Sequence, residues 1–152
     1  MENPASPLEA VLKRRYPHPV ARVFRAWSVP RHLESWLRPE TECTLRVARF
    51  DFREGGEFVF HYTLGNETAP VHGKFLAIVP EQNLIYSWCP QPPDPWAGRE
   101  TMVSVWFHPL AADETEIEIR HTLFPDEMMR DRHHSGWSAA FEFLAQHLQK
   151  TQ

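Results

Sequence analysis

Residues 115–149 read TEIEIRHTLFPDEMMRDRHHSGWSAAFEFLAQHLQ, and the period of the apolar residues changes inside this stretch from that of a strand to that of a helix. Up to Phe124, apolar and polar side chains alternate, which is typical of a strand with one buried face. After Pro125, apolar side chains recur every three or four residues, which predicts one long amphipathic helix to about residue 149. Asp126 and Glu127 suit the positive N-terminal end of such a helix. The expected apolar stripe consists of Met129, His133, Trp137, Ala140, Phe141, Leu144 and Leu148.

Upstream of this stretch, the pattern predicts a strand, two short helices and then five or six consecutive antiparallel strands. The predicted strands cover residues 8–16, 43–52, 57–63, 71–79, 84–89, 99–108 and 115–124, and the predicted short helices cover 19–27 and 30–37. An irregularity is expected near Ala48, where the alternation fails. Runs of strands that end in a helix indicate the α+β class. The final helix is the only element long enough to cover one face of the sheet.

The composition indicates how many domains the chain forms and which classes of partner it can bind. With 152 residues, of which 42% are hydrophobic and 24% charged, we expect a single domain over residues 8–150 and a disordered or extended tail over 1–7. No apolar run approaches a membrane span, and the N-terminus lacks the regions of a secretory signal, so we expect a cytoplasmic protein with no membrane partner. The net charge is −4 and the cations are not clustered, so no nucleic-acid partner is expected.

Two hairpins assign the faces of the predicted sheet. A symmetric loop over 65–68 places Tyr62 opposite Val71, and His61 opposite His72. The last hairpin places Thr101 opposite His121. The inner face then consists of Phe58, Phe60, Tyr62, Val71, Gly73, Phe75, Val103, Val105, Phe107, Ile117, Ile119, His121 and Leu123. Trp106 falls on the outer face, where an exposed aromatic ring marks a candidate surface for a homodimer or a protein partner.

Several motifs together resemble a known family. They are PVARVFRAW at 19–27, the spaced residues Pro30, Leu33 and Trp36, DFREGGEF at 51–58, GKF at 73–75, LIYSW at 84–88, TEIEIRH at 115–121, and Gly136-Trp137 followed by Leu144. Their order and spacing, from about residue 8 to 149, resemble the SRPBCC (START-like) superfamily, in the branch of the C-terminal domain of the activator of heat-shock-protein ATPase. The resemblance implies a helix-grip fold, in which a curved antiparallel sheet wraps the C-terminal helix and leaves a cavity. That fold hosts carriers, receptors, cyclases and co-chaperones, so it does not decide the function.

The rings on the inner face are the candidate binding site. The predicted ligand-binding residues are Phe58, Phe60, Tyr62, Phe75, Tyr86, Trp88, Val105, Phe107, Ile119, His121, Trp137 and Phe141. Such rings either fill a solid core or surround a hydrophobic pocket. His121 is either a structural histidine, with Thr101 as its partner, or a group that orients a ligand or acts as a general base. The proline-rich segment 90–98 is predicted to carry a lid residue, Trp96.

Three functions follow from these residues. The first is binding of a small hydrophobic or aromatic ligand in the cavity between sheet and helix, with no cofactor. The second is a protein–protein module of the co-chaperone type, which acts on a chaperone ATPase through the outer face or a rim. The third is a cyclase- or hydrolase-like enzyme, which needs a carboxylate within hydrogen-bond reach of His121. The two cysteines lie in no metal-binding spacing and no other metal motif is present, so no metal is expected.

Overall fold

The computed structural model describes residues 8–150, so the tail expected over residues 1–7 lies outside the described part of the chain. The elements are β1 (Leu8–Tyr16), α1 (Val20–Ser28), α2 (Pro30–Trp36), β2 (Thr44–Phe50), β3 (Glu57–Leu64), β4 (Glu67–Val79), β5 (Asn83–Pro90), β6 (Thr101–Ala111), β7 (Glu114–Phe124) and α3 (Glu127–Lys150). The predicted α+β order is confirmed, with six strands between α2 and α3.

All strand pairs are antiparallel and form one sheet in the order β1-β7-β6-β5-β4-β3-β2. Strands β1 and β7 are neighbours in the sheet although they are not consecutive in the chain, which brings the first described strand beside the last. Helix α3 packs against β1, β7 and α2, so its apolar stripe covers the inner face of the sheet. The predicted helix-grip architecture is therefore confirmed.

The predicted faces of the β3–β4 hairpin are right, but its pairs are wrong by two residues. Leu64 pairs with Glu67, so the turn contains two residues instead of four, and Gly65 has a positive φ of 63°. Tyr62 therefore lies opposite Ala69 rather than Val71. Because a shift of two residues keeps every side chain on its face, the inner set is unchanged.

The predicted pair of His61 and His72 is wrong for the same reason. His61 lies opposite Pro70, and His72 lies opposite Val59. The Nδ1 atom of His61 instead lies 2.7 Å from the Nη2 atom of Arg46. The two imidazoles therefore do not form a cross-strand pair.

The pairs of the last hairpin are also displaced by two residues, in the opposite sense, and one side chain is reversed. Val103, not Thr101, lies opposite His121. Leu123 was predicted on the inner face, but it is 57% exposed and has a φ of 71°. The pairing of β1 with β7 contains a bulge, because Leu8 pairs with Phe124 whereas Ala10 pairs with His121. The extra residue in β7 reverses the alternation of the two faces. Phe124 therefore lies on the inner face, where the alternation had predicted Leu123. The irregularity expected near Ala48 is confirmed by a register shift between Val47 and Arg49.

Gly73 shows how tightly the inner face is packed. The ring of Phe58, its cross-strand partner, lies over the position that a Cβ atom at Gly73 would occupy, and the carbonyl oxygen of Ser87 lies beside it. An aromatic ring over a strand glycine compensates for the missing side chain. Only glycine at position 73 therefore leaves enough space for the Phe58 ring.

We predict that Gly73→Ala lowers the free energy of unfolding by roughly 1–3 kcal/mol, because the added methyl group overlaps the Phe58 ring and the Ser87 carbonyl group. Urea denaturation monitored by tryptophan fluorescence measures this change. Gly136→Ala in α3 is the matched control, since its new Cβ would meet Pro39 at an ordinary distance of 3.4 Å. That control should raise the stability by up to about 1 kcal/mol through helix propensity. Equal stabilities of Gly73→Ala and the wild type would contradict the packing described.

Candidate functional site

An open cleft of about 410 Å³ lies between the sheet and the N-terminal half of α3. We call it the main cleft. One wall comes from β3, β4 and the end of β5, the second from α3 between Arg132 and Ala140, and the third from the connection between α2 and β2. Tyr62, Trp88 and Trp137 supply aromatic rings to this lining from three different elements.

The structure divides the predicted ligand-binding residues into two groups. Tyr62, Trp88 and Trp137 line the main cleft. The remaining nine lie in the packed interior, each at most 4% exposed: Phe58, Phe60, Phe75, Tyr86, Val105, Phe107, Ile119, His121 and Phe141. Their rings contact one another, for example Phe58 and Phe75 with centroids 5.3 Å apart. The inner face therefore combines a solid aromatic core with a cleft at one end.

His121 is fully buried behind the cleft and connects α3 to the sheet. The indole Nε1–H of Trp137 donates to Nδ1 of His121 at 3.1 Å. The hydroxyl group of Thr101 donates to the carbonyl oxygen of Trp88 at 2.8 Å and lies 2.7 Å from Nε2 of His121. Since the Thr101 proton is engaged, Nε2 of His121 carries its own proton and donates it to that hydroxyl oxygen. The expected Thr101 partner is thus present, although Thr101 is not the residue directly opposite.

Burial and this hydrogen-bonded chain together keep His121 neutral. Burial is the main cause that lowers its pKa well below the usual 6.5, and the neighbouring His133 lowers it further. Protonation would also remove the lone pair that accepts from Trp137. Both nitrogens are occupied by neutral partners, and within residues 8–150 no carboxylate is hydrogen-bonded to this imidazole. The enzyme hypothesis required such a carboxylate.

Trp96, the predicted lid residue, lies beside the main cleft rather than in its lining. Its indole N–H donates to Oδ2 of Asp126 at 3.0 Å, and its ring packs with the buried cluster that contains Phe124 and Met129. The other oxygen of Asp126, Oδ1, accepts the backbone N–H of Met129 at 2.8 Å and so caps the first turn of α3. These two hydrogen bonds hold the pKa of Asp126 below its usual value, and the bond from Met129 has the larger effect. From the same proline-rich segment, Pro90 and Asp94 do line the cleft.

Most of the polar residues in the cleft lining are absent from the set predicted from the sequence. Asp94, Arg132 and His133 meet at one rim, where Nη1 of Arg132 lies 3.5 Å from Oδ2 of Asp94. His133 had been assigned to the apolar stripe of α3, and its spacing of four residues from Trp137 could have placed it in the cleft. The connection over 37–43 has no period, so nothing in it signalled a cleft wall.

Two further titratable side chains in the lining of the cleft, Tyr62 and His133, are held neutral. The hydroxyl group of Tyr62 donates to the carbonyl oxygen of Leu37 at 2.9 Å, and burial raises the pKa of Tyr62 well above its usual value. Burial is also the main cause that lowers the pKa of His133; Arg132 lowers it further, while a hydrogen bond to Met129 and the charge of Asp94 act in the opposite direction.

Within residues 8–150, no group of three or more histidine, cysteine or acidic side chains is arranged to hold a metal ion. In the same part of the chain, no helix is both long enough and apolar enough to span a bilayer. A second cavity, of about 340 Å³, lies between α2, β2 and the C-terminal end of α3 and shares Arg38 and Cys43 with the main cleft.

Comparison with known proteins identifies relatives of this architecture. The family model described as activator of Hsp90 ATPase homolog 1-like protein matches residues 17–149. A crystal structure from Chromobacterium violaceum is 23% identical and superposes with a TM-score of 0.81 over 92% of this chain and 96% of that one. The AHSA1 protein from Silicibacter pomeroyi is also 23% identical, with a TM-score of 0.81 over 95% of this chain and 99% of that one. At these identities the likeness shows the fold. No curated protein matches the sequence.

We predict that His121→Gln lowers the free energy of unfolding at pH 7 by about 1–3 kcal/mol, because glutamine cannot keep both buried hydrogen bonds. It should also weaken the pH dependence of stability. The folded pKa of His121 lies below that of the unfolded chain, so the contribution is complete above about pH 6.5 and is lost as the pH falls, by at most about 1.4 kcal/mol per unit.

Chemical denaturation at pH 7.5, 6.5 and 5.5 measures both effects. The exposed neighbour on α3, His134, supplies the control His134→Gln, which should behave as the wild type does. An unchanged slope of stability against pH in His121→Gln would contradict the neutral, buried imidazole.

Proposed function

This chain belongs to the activator of Hsp90 ATPase homolog 1-like family, and we propose that it binds a small hydrophobic or aromatic molecule in the main cleft. The observation that carries the proposal is the meeting of Tyr62, Trp88 and Trp137 around an open space. Trp88 and Trp137 are only 7% and 5% exposed and also pack into the core, as does the half-buried Tyr62, but the three rings are not enclosed by core alone. They border a cavity within the range of small-molecule sites, roughly 300–1,000 Å³.

The hydrogen bonds behind the cleft support this proposal. Trp137 and Tyr62 have their polar atoms occupied by His121 and by the carbonyl group of Leu37. Their rings therefore present apolar surface to the cleft, without an unsatisfied donor. A ligand with a flat apolar body gains the burial of that surface, at about 25 cal/mol per Å².

The polar rim completes a binding site of the usual composition. Arg132 and Asp94 form an ion pair at the mouth, and His133 lies beside them. A few polar groups on an apolar lining fix the orientation of a ligand. Binding of this kind requires no cofactor. The free thiols of Cys43 and Cys89 fit a reducing compartment, so we propose the cytoplasm as the place of action.

A second candidate function is contact with a protein partner, such as a chaperone ATPase or a second copy of this chain. Trp106 favours it, since this large ring lies on the outer face of β6 and is 40% exposed. Aromatic rings of this kind are enriched at the centres of interfaces. Under this hypothesis Trp106→Ser weakens the association and leaves ligand binding in the main cleft unchanged.

We predict that a panel of fatty acids, flavonoids and polyketide-like aromatics contains members that raise the melting temperature. A ligand at 100 times its Kd adds about 2.7 kcal/mol, or roughly 5–10 °C for a domain of this size. Ala69→Trp should abolish the shift, because Ala69 lies opposite Tyr62 in the cleft lining. Differential scanning fluorimetry measures it.

The matched control is Ala112→Trp, which places the same ring in the exposed turn between β6 and β7. Its melting temperature should respond to ligands as the wild type does. A panel without any effect on the wild type, or a full response in Ala69→Trp, would sink the proposal.

A further inference from the structure

We propose that the ligand of the main cleft is a hydroxylated aromatic molecule, and that His133 accepts a hydrogen bond from its phenolic hydroxyl group. This inference rests on the proposed function and adds the chemical class of the ligand. It starts from the hydrogen bonds of His133, a residue of the predicted apolar stripe of α3.

The first step is the tautomer of His133. Its Nδ1 atom lies 2.9 Å from the carbonyl oxygen of Met129, one turn earlier on α3. A carbonyl oxygen only accepts hydrogen bonds, so Nδ1 carries the proton. In the neutral ring the other nitrogen, Nε2, is then an acceptor. Within residues 8–150 this nitrogen has no hydrogen-bond partner, although His133 lines the cleft.

The second step concerns the charged side chains beside His133. A hydrogen-bond donor of the protein at this place would favour a ligand that accepts hydrogen bonds. Arg132 is engaged with the proline-rich segment on two sides: its Nη1 atom lies 3.5 Å from Asp94, and its guanidinium group lies 5.5 Å from the centre of the Trp96 ring. Asp94 is itself an acceptor and takes the backbone N–H of Trp96 at 2.8 Å. Arg132 keeps further N–H donors, but its side chain is 56% exposed at the rim, whereas Nε2 of His133 is an acceptor that only a donor on the ligand can satisfy.

The third step is the spacing along α3. Trp137 follows His133 by four residues, so the two side chains are neighbours on the same face of the helix. The indole N–H of Trp137 is taken by His121, which leaves its ring face as apolar surface. A ligand whose ring packs on Trp137 thus brings a substituent within reach of His133. That substituent has to donate, and on an aromatic ring a hydroxyl group is the simplest donor.

Three matched compounds test the inference: 2-naphthol, 2-methoxynaphthalene and naphthalene. They share one aromatic body, but only 2-naphthol donates a hydrogen bond, and naphthalene controls for the size of the methyl group. Calorimetric titration of the wild type should give a Kd for 2-naphthol roughly five to ten times lower than for either other compound. His133→Phe keeps a ring in place and removes the acceptor, so its three Kd values should agree. His134→Phe, on the exposed side of α3, should keep the wild-type preference.

The outcomes separate this inference from the proposed function. Equal Kd values in the wild type overturn the inference and leave binding in the cleft intact, whereas no binding of any compound overturns both. A preference for 2-naphthol that persists in His133→Phe assigns the acceptor elsewhere and also overturns the inference.

A second measurement does not depend on the variant. In the wild type, the ¹⁵N resonance of His133 Nε2 should be that of an unprotonated nitrogen. It should shift when 2-naphthol binds and stay in place when the ether binds. A protonated Nε2 in the free protein would overturn the tautomer and the inference with it.

Discussion

A buried imidazole that must satisfy both of its nitrogens constrains the rest of this structure. His121 is on β7, its donor Trp137 is on α3, and its acceptor Thr101 is on β6 and is bonded in turn to the backbone of β5. Three strands and the long helix are therefore joined by one chain of hydrogen bonds. Because an unsatisfied buried polar atom costs about 1–3 kcal/mol, sliding α3 along the sheet would be opposed at this point. The same bonds fix the indole of Trp137 at the wall of the main cleft.

The strand that carries His121 is shaped to protect it. The bulge near the end of β7 turns Leu123 outward, with a positive φ, and turns Phe124 inward. The ring of Phe124 then lies 4.4 Å from the imidazole, centroid to centroid. A non-glycine residue in the left-handed region is strained by roughly 1–2 kcal/mol. The fold accepts this strain and gains an apolar cover that keeps water from the hydrogen-bonded chain.

The sequence predicted the layers of this fold better than its details. Alternation assigned Phe58 and Val105 to the inner face correctly, because a face depends only on the parity of the register. The pairs were wrong by two residues in both hairpins, since turn length is not visible in a period of two. The prediction for Leu123 was wrong, because the bulge that turns this side chain outward does not change the alternation of the residues before it. At the site, the aromatic residues could be predicted from the sequence. The aperiodic connection 37–43 and the rim residue Asp94 could not, because only the tertiary structure brings them to the cleft.

One carboxylate has a mechanical consequence for the mouth of the cleft. Asp126 holds the first turn of α3 through one oxygen and the indole of Trp96 through the other. The proline-rich segment, which contributes Pro90 and Asp94 to the cleft, and the start of the helix are thereby linked through one side chain. Loss of this single carboxylate would remove the cap of α3 and the anchor of the Trp96 ring together.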